Sequence, residues 1–160
     1  MTKSNTVAKM LADLGQTQQA FLDILSRIDE STLYRRPPGE ESWTLAESLA
    51  HITEARQFWS DEIAKVLATP GAQVGRPADH PGRQQAVKEH GHDSVDALRR
   101  RFLTSYEYVV KTLSQISEQD LQVSCEHIAS GSLTLAEFIQ RFLVEHDRTH
   151  VGQAQALLAE

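Results

Sequence analysis

The stretch TPGAQVGRPADHPG, residues 69–82, decides how this chain folds. Both flanks read as helix, so its length fixes the direction in which those helices run. A polar segment follows it to about Asp93, and a connection this long is unusual inside a compact domain. It makes sense where the chain must travel back along a bundle before the next helix begins. A helix of roughly 24 residues is about 36 Å long, and an extended chain of similar count reaches past that. The second and third helices can therefore run parallel, which gives an up-down-down-up order.

Working outward, four apolar stripes recur at three- and four-residue intervals, the spacing of one helix face. The first runs from Val7 through Leu14 and Phe21 to Ile28, and RRPPGE (35–40) ends it because proline cannot continue a helix. The second holds Leu45, Leu49, Ile52, Trp59, Ile63 and Val66; the third spans Val95 to Ile116. The fourth carries Leu135, Phe138, Ile139 and Phe142, then His146, His150 and Leu157. The expectation is an all-α four-helix bundle, up-down-down-up, with a long crossover between helices 2 and 3. It is read as a single domain over residues 1–160, long enough to bury a core without staples.

The chain also repeats itself: SWTLAE at 42–47 returns as SLTLAE at 132–137. Each holds T-x-x-E, the capping box that satisfies free amide hydrogens at a helix start. Thr44 with Glu47 and Thr134 with Glu137 thus mark two helix starts.

Composition narrows the function classes. The net charge of −6 leaves no basic footprint for nucleic acid. Arg99, Arg100 and Arg101 face several directions on one helix and read as solvated surface. A lone cysteine, Cys125, excludes a disulfide framework and a paired-cysteine metal motif, and reads as a small apolar residue. No window approaches the roughly 20 apolar residues of a membrane span, and MTKSNTVAKMLADLGQ lacks a signal peptide's apolar stretch. A cytoplasmic protein is expected.

Within the fourth stripe, EHDRTHVGQ (145–153) puts His146 and His150 one turn apart, on the face that the periodicity buries. Buried imidazoles need hydrogen-bond acceptors or a metal ion. A third histidine, His51, lies on the flank of the second stripe, about 10 Å into its helix from Thr44. If helix 4 runs antiparallel to helix 2, His150 and His146 lie about 15 and 21 Å deep from the same end. Parallel helices match less well, so histidine depth and crossover length favour the same topology. Histidines at i and i+4 with a third from a facing helix suit zinc, nickel or iron, and leave a coordination position open. Polar core residues bonded to carbonyls or water remain the bland alternative.

The pattern W-[ST]-x-x-E-x-x-x-H (Trp43, Thr44, Glu47, His51), together with H-x-x-x-H-x-G-Q (His146, His150, Gly152, Gln153), resembles the DinB/YfiT-like superfamily. The resemblance takes in the R-P-P-x-E approach to helix 2 and the long crossover. It implies a four-helix bundle with a metal held by three histidines, which map onto His51, His146 and His150. It further implies metal-dependent enzymes that use a low-molecular-weight thiol (bacillithiol, mycothiol or glutathione) for transfer or isomerisation, others described as hydrolases, and frequent homodimers. The expected cofactor is a divalent ion, zinc or nickel first with iron or manganese compatible, and a thiol is the candidate co-substrate. The expected partner is a small-molecule substrate, with neither nucleic acid nor membrane. The alternative is a non-catalytic, small-molecule-binding or stress-related bundle whose metal is structural or absent.

No Ser/His/Asp array, phosphate loop or dinucleotide fingerprint is present, and the sequence assigns no catalytic base. Glu54 and Glu62 lie on helix 2, but the helical wheel does not bring both to the cleft. Gln153 reads either as a residue orienting a metal ligand or as a buried amide, and Gly152 as a site of close helix packing. Trp43 reads as a hydrophobic anchor before the cap. His80, His90, His92 and His127 read as loop residues.

Overall fold

The computed structural model describes residues 6–39 and 42–159; Glu40, the end of the R-P-P-x-E approach, lies outside them. Helix α1 (Thr6–Arg27) buries Val7, Met10, Leu14, Phe21, Ile24 and Leu25 along one stripe. Asp29 caps a single turn, α2 (Glu30–Leu33), by accepting from the Thr32 amide. Helix α3 (Leu45–Ala68) starts at Thr44, whose hydroxyl accepts from the Glu47 amide while the Glu47 carboxylate accepts from the Thr44 amide. Then come α4 (Pro81–His90) in the crossover and α5 (Val95–Ser114). The last long helix is α6 (Leu135–Ile139), a five-residue π-helical segment Gln140–Val144, and α7 (Glu145–Leu158). Both expected capping boxes form; the second opens α6 at Thr134 with Glu137.

Side-chain pairs give the helix directions. Phe21 meets Phe102 at 5.3 Å between ring centroids, and Gly15 lies against Tyr106, so α1 and α5 are antiparallel. Arg56 reaches Phe102 and Ser105 while Tyr108 donates to Asp61, so α3 and α5 are parallel. Trp59 packs on Phe138 and Phe142 while His51 meets His146 and His150, so α3 and α7 are antiparallel. The bundle is up-down-down-up.

The crossover is not structureless. It holds a two-residue strand, β1 (Gln73–Val74), and helix α4, which lies along α3. Arg76 fastens it by pairing with Glu54 and stacking 4.1 Å over the Phe58 ring. At its far end, a Cβ added at Gly91 would fall 2.8 Å from the Glu47 Cγ, so only glycine fits there without a shift. Helix α4 buries none of its residues, which is why apolar periodicity could not reveal it.

A small sheet was also unforeseen. β2 (Ser124–His127) pairs parallel with β1, with Val74 opposite His127, and antiparallel with β3 (Gly131–Thr134), with Cys125 opposite Leu133. His127, expected in a loop, therefore sits buried in a strand, stacked 4.5 Å from Phe142. Strands of two to four residues are too short to show alternation in the sequence. Cys125 is buried in this sheet, and burial raises its thiol pKa, consistent with an apolar role.

Two apolar clusters fill the bundle. One gathers Leu14, Trp59, Ile63, Val109, Phe138 and Val144 beside the sheet; the other gathers Phe21, Leu49, Ile52, Phe102, Val151 and Ala154. Near where the clusters meet, each of the four long helices buries polar side chains: Thr17 and Gln18, Arg56, Ser105, and Asp147. The core thus carries a polar layer, and the three candidate histidines lie beside it.

Candidate metal centre

The π-helical segment determines what α7 presents to the interior. An unbroken 3.6-residue stripe through Phe138, Ile139 and Phe142 would carry His146 and His150 into the core. One wide turn advances the register. Leu143 and Val144 are buried instead, then Asp147, Val151 and Ala154. Asp147 takes the central position, and His146 and His150 rotate to the half-buried flank facing α3. There they meet His51, which is 4% exposed.

The three imidazoles converge. Ring centroids lie 5.0 Å apart for His51 with His146, 5.0 Å for His51 with His150, and 4.6 Å for His146 with His150, all edge to face. One ring nitrogen from each falls within 4.8 Å of the other two. His51 Nε2 and His146 Nε2 are 3.0 Å apart. Two nitrogens bound to one zinc at about 2.0–2.1 Å lie roughly 2.9–3.4 Å apart for angles between about 90 and 109°, so this spacing fits a shared ion. The donors are also in the right state. Burial first, and His146 second, push His51 down to about 2 and His150 down to about 4, so both rings are neutral with a lone pair to offer. The Nδ1 atoms of His51 and His150 are buried without a protein partner. Three converging imidazoles, two of them held neutral, and a short N···N approach suit a divalent ion of borderline softness.

The surroundings are equally specific. Trp43 stands 5.0 Å from the His51 ring and, with Pro37, Ser48, His150, Gln153 and Leu157, borders a cleft of about 480 Å³. It walls the site as well as preceding the cap. Gln153 is exposed at this mouth and contributes a hydrogen bond that favours protonation of His150, so it is not a buried amide. Gly152 faces open space: a Cβ added there would meet nothing within 4 Å, so it serves no close packing. Glu54 is engaged by Arg76; Glu62 accepts from the Gly75 amide and pairs with Lys65. Neither carboxylate is free to act as a base in the cleft. Arg83 on α4 has a buried Nε without a protein partner, and its positive charge, with that of Arg76, helps hold His51 neutral.

Two functional candidates escaped the sequence reading. Asp147 is fully buried; its Oδ2 accepts from Arg56 Nε at 2.9 Å and lies 2.8 Å from Arg56 Nη2 in the same ion pair. Burial raises the carboxyl's proton affinity, but Arg56 and then His146 together more than offset this and hold Asp147 below the usual carboxylate range. The available signal was a charged residue directly after a candidate ligand. Uninterrupted helical periodicity turned it outward, and only the π turn brings it in. The loop histidines do not join the centre. His80 caps α4 by accepting from the Gly82 amide, and His90 pairs with Asp93 at 2.9 Å. A larger groove of about 1230 Å³ between α3, α4 and α5 is lined by His90 but lies away from His51, His146 and His150.

The chain belongs to the DinB superfamily, whose family model matches residues 13–154. Its fold is similar to that of YfiT from Bacillus subtilis, described as a probable metal-dependent hydrolase with an unusual four-helix bundle topology. The TM-score is 0.76 at 15% identity, over 94% of this chain and 85% of that one. It is similar to a mycothiol-dependent maleylpyruvate isomerase, with TM-score 0.74 and 13% identity over 97% of this chain and 63% of that longer one. It is also similar to the colibactin self-resistance protein ClbS, solved in complex with dsDNA, with TM-score 0.72 and 11% identity over 100% and 99% of the two chains. No curated protein sequence matches it. Among the described residues, no helix is long and apolar enough to cross a membrane.

Proposed function

We propose that this protein is a metal-dependent enzyme acting on a small molecule, with His51, His146 and His150 holding a divalent ion, zinc or nickel first. The observation that carries the reading is the convergence of one nitrogen from each ring within 4.8 Å. When bound, such an ion supplies Lewis-acid activation of a thiol or water. The chain's own residues do the rest. His150 lines the cleft, so a ligand entering it would reach an ion held by the three imidazoles. Trp43, Pro37 and Leu157 give that cleft an apolar wall. The positive charge of Arg83, whose Nε has no protein partner, favours an anionic ligand beside the histidines, a thiolate or a hydroxide alike. Transfer with a low-molecular-weight thiol is preferred for the likeness to a mycothiol-dependent isomerase, and hydrolysis is the second reading, favoured by the likeness to YfiT. A small-molecule substrate is preferred over DNA because the net charge is −6.

Metal content by mass spectrometry tests the reading, on tag-free protein beside the His51→Ala/His146→Ala/His150→Ala variant. About one ion per chain, absent from the variant, is expected. No uptake after reconstitution with zinc, nickel, iron or manganese overturns it, and a binding bundle without metal then becomes the better description.

A further inference from the structure

Asp147 presents an unusual arrangement. Both Arg56 donors converge on Oδ2, while Oδ1 is buried with no hydrogen-bond partner. A buried carboxylate oxygen without a donor is costly. A candidate donor is His146 Nδ1, 3.6 Å away, about 0.4 Å beyond the usual length of a hydrogen bond.

The other side of the His146 ring sharpens the point. Its Nε2 lies 3.0 Å from His51 Nε2, so where these two nitrogens bond directly, one carries the proton and the other accepts it. His51 Nδ1 is buried without a protein partner. With no ion bound, His51 carries its proton on Nε2 and donates to His146. An ion shared by the two Nε2 atoms would displace that proton, and in both states His146 Nε2 keeps its lone pair. His146 then carries its own proton on Nδ1, facing Asp147.

We propose that Asp147, held by Arg56, is a positioning residue. It accepts from His146 Nδ1–H, fixes that ring's orientation and tautomer, and keeps the Nε2 lone pair directed at His51 and His150. The inference rests on the metal-site reading above. Arg56 is the reason Asp147 points this way. Its guanidinium is tied to the Phe102 carbonyl and the Ser105 hydroxyl on α5, so the carboxylate's rotation is fixed by two neighbouring helices. A histidine ligand oriented by a carboxylate on its second nitrogen is a recurrent design of metal sites, and loss of such a partner typically costs about 10- to 100-fold in metal affinity.

The test compares two double variants that each remove the buried charges together. Arg56→Met/Asp147→Leu deletes the acceptor. Arg56→Met/Asp147→Asn keeps a neutral carbonyl oxygen that can still accept from His146. The readouts are zinc affinity by competition with a chelator and the ¹⁵N shifts of the His146 ring, which report the protonated nitrogen. The leucine variant is expected to bind zinc about 10- to 100-fold more weakly and to lose the Nδ1–H tautomer, with both largely restored in the asparagine variant. Wild-type affinity and an unchanged tautomer in the leucine variant overturn the proposal. So do equal losses in both variants, which would mark the pair as packing alone. If the natural protein takes up no zinc, the metal-site reading fails, and the ¹⁵N comparison still decides whether Asp147 sets the tautomer of His146.

Discussion

Arg56 and Asp147 join α3 to α7 through the middle of the bundle, with two guanidinium nitrogens on one carboxylate oxygen at 2.9 and 2.8 Å. Both residues are 1% exposed, and they sit in the polar layer near where the two apolar clusters meet. Such a pair is weak evidence of net stabilisation, because desolvation offsets much of the attraction. Breaking it is another matter. Arg56→Ala or Asp147→Ala leaves one uncompensated buried charge, and each is expected to destabilise by about 3–5 kcal/mol. Replacing both with apolar residues of similar volume should cost far less. Urea denaturation of the two single variants and Arg56→Met/Asp147→Leu checks this; equal losses in all three would contradict it.

A bound ion stabilises only the state that binds it. Zinc at about 100 times its dissociation constant should add about 2.7 kcal/mol to folding. Thermal melting should therefore rise on adding zinc to the natural protein and stay unchanged in His51→Ala/His146→Ala/His150→Ala. Helical content of that variant should persist, since the centre lies at the flank of two intact apolar clusters. Collapse of the variant's helical signal would instead assign the ion to folding.

Much of this architecture was legible in the sequence because the informative residues lie on long amphipathic helices. Thr44, Glu47, Thr134 and Glu137 marked helix starts through a spacing that has one physical use. Crossover length and rise per residue favoured antiparallel packing of the helices that carry His51, His146 and His150, and the family resemblance named the three as a set. What stayed hidden lacked a periodic signature. Helix α4 buries nothing, and the strands around His127 are too short to alternate. Asp147 was missed for a different reason: the π turn at Gln140–Val144 shifts the register by one residue, and no composition rule announces it.

The depressed histidines make stability depend on pH with a definite sign. In the unfolded chain His51 and His150 take up protons near their ordinary value of about 6.5; in the folded chain burial, then His146, holds them down to about 2 and about 4. Below about pH 6.5 the unfolded state binds more protons, so stability is fully present above that value and is lost as the pH falls. Each histidine contributes a slope approaching about 1.4 kcal/mol per pH unit, ending for His150 near its folded value. Urea midpoints for chelator-treated protein should fall between about pH 7 and about pH 5. The decline should be shallower in His51→Ala/His150→Ala, and parallel declines would place the proton uptake elsewhere.

Gly75 ties the crossover to the sheet. Its φ is +98°, a conformation that side chains rarely adopt, and its amide donates to Glu62 at 2.7 Å. A Cβ at this position would fall 2.7 Å from His127 Nε2, inside a stacked group that includes Phe142. Gly75→Ala should therefore destabilise by more than about 1 kcal/mol, combining backbone strain with displacement of His127. Gly71 has φ +84° but nothing near its Cβ, so Gly71→Ala isolates the strain alone and should cost less. Denaturation midpoints of the two variants separate the contributions. If Gly71→Ala proves as damaging as Gly75→Ala, the contact with His127 has no energetic weight.

Removing the crossover tests the topology itself. Helices α3 and α5 run parallel, so the chain leaving Ala68 must return most of a helix length before Val95, about 30 Å for 20 residues. A short turn in place of residues 69–93 cannot span that distance, because four residues reach at most about 14 Å. The shortened chain should lose cooperative unfolding, or exchange helices with a second copy and run as a dimer. An extended polar linker of about 25 residues spans the distance easily, since an extended chain rises about 3.3 Å per residue. It should keep the bundle while losing the Arg76 contacts to Glu54 and Phe58. Circular dichroism melts and light scattering distinguish these results. A stable monomer with the short turn would require α3 and α5 to be antiparallel, which the contacts of Arg56 with Phe102 and of Asp61 with Tyr108 oppose.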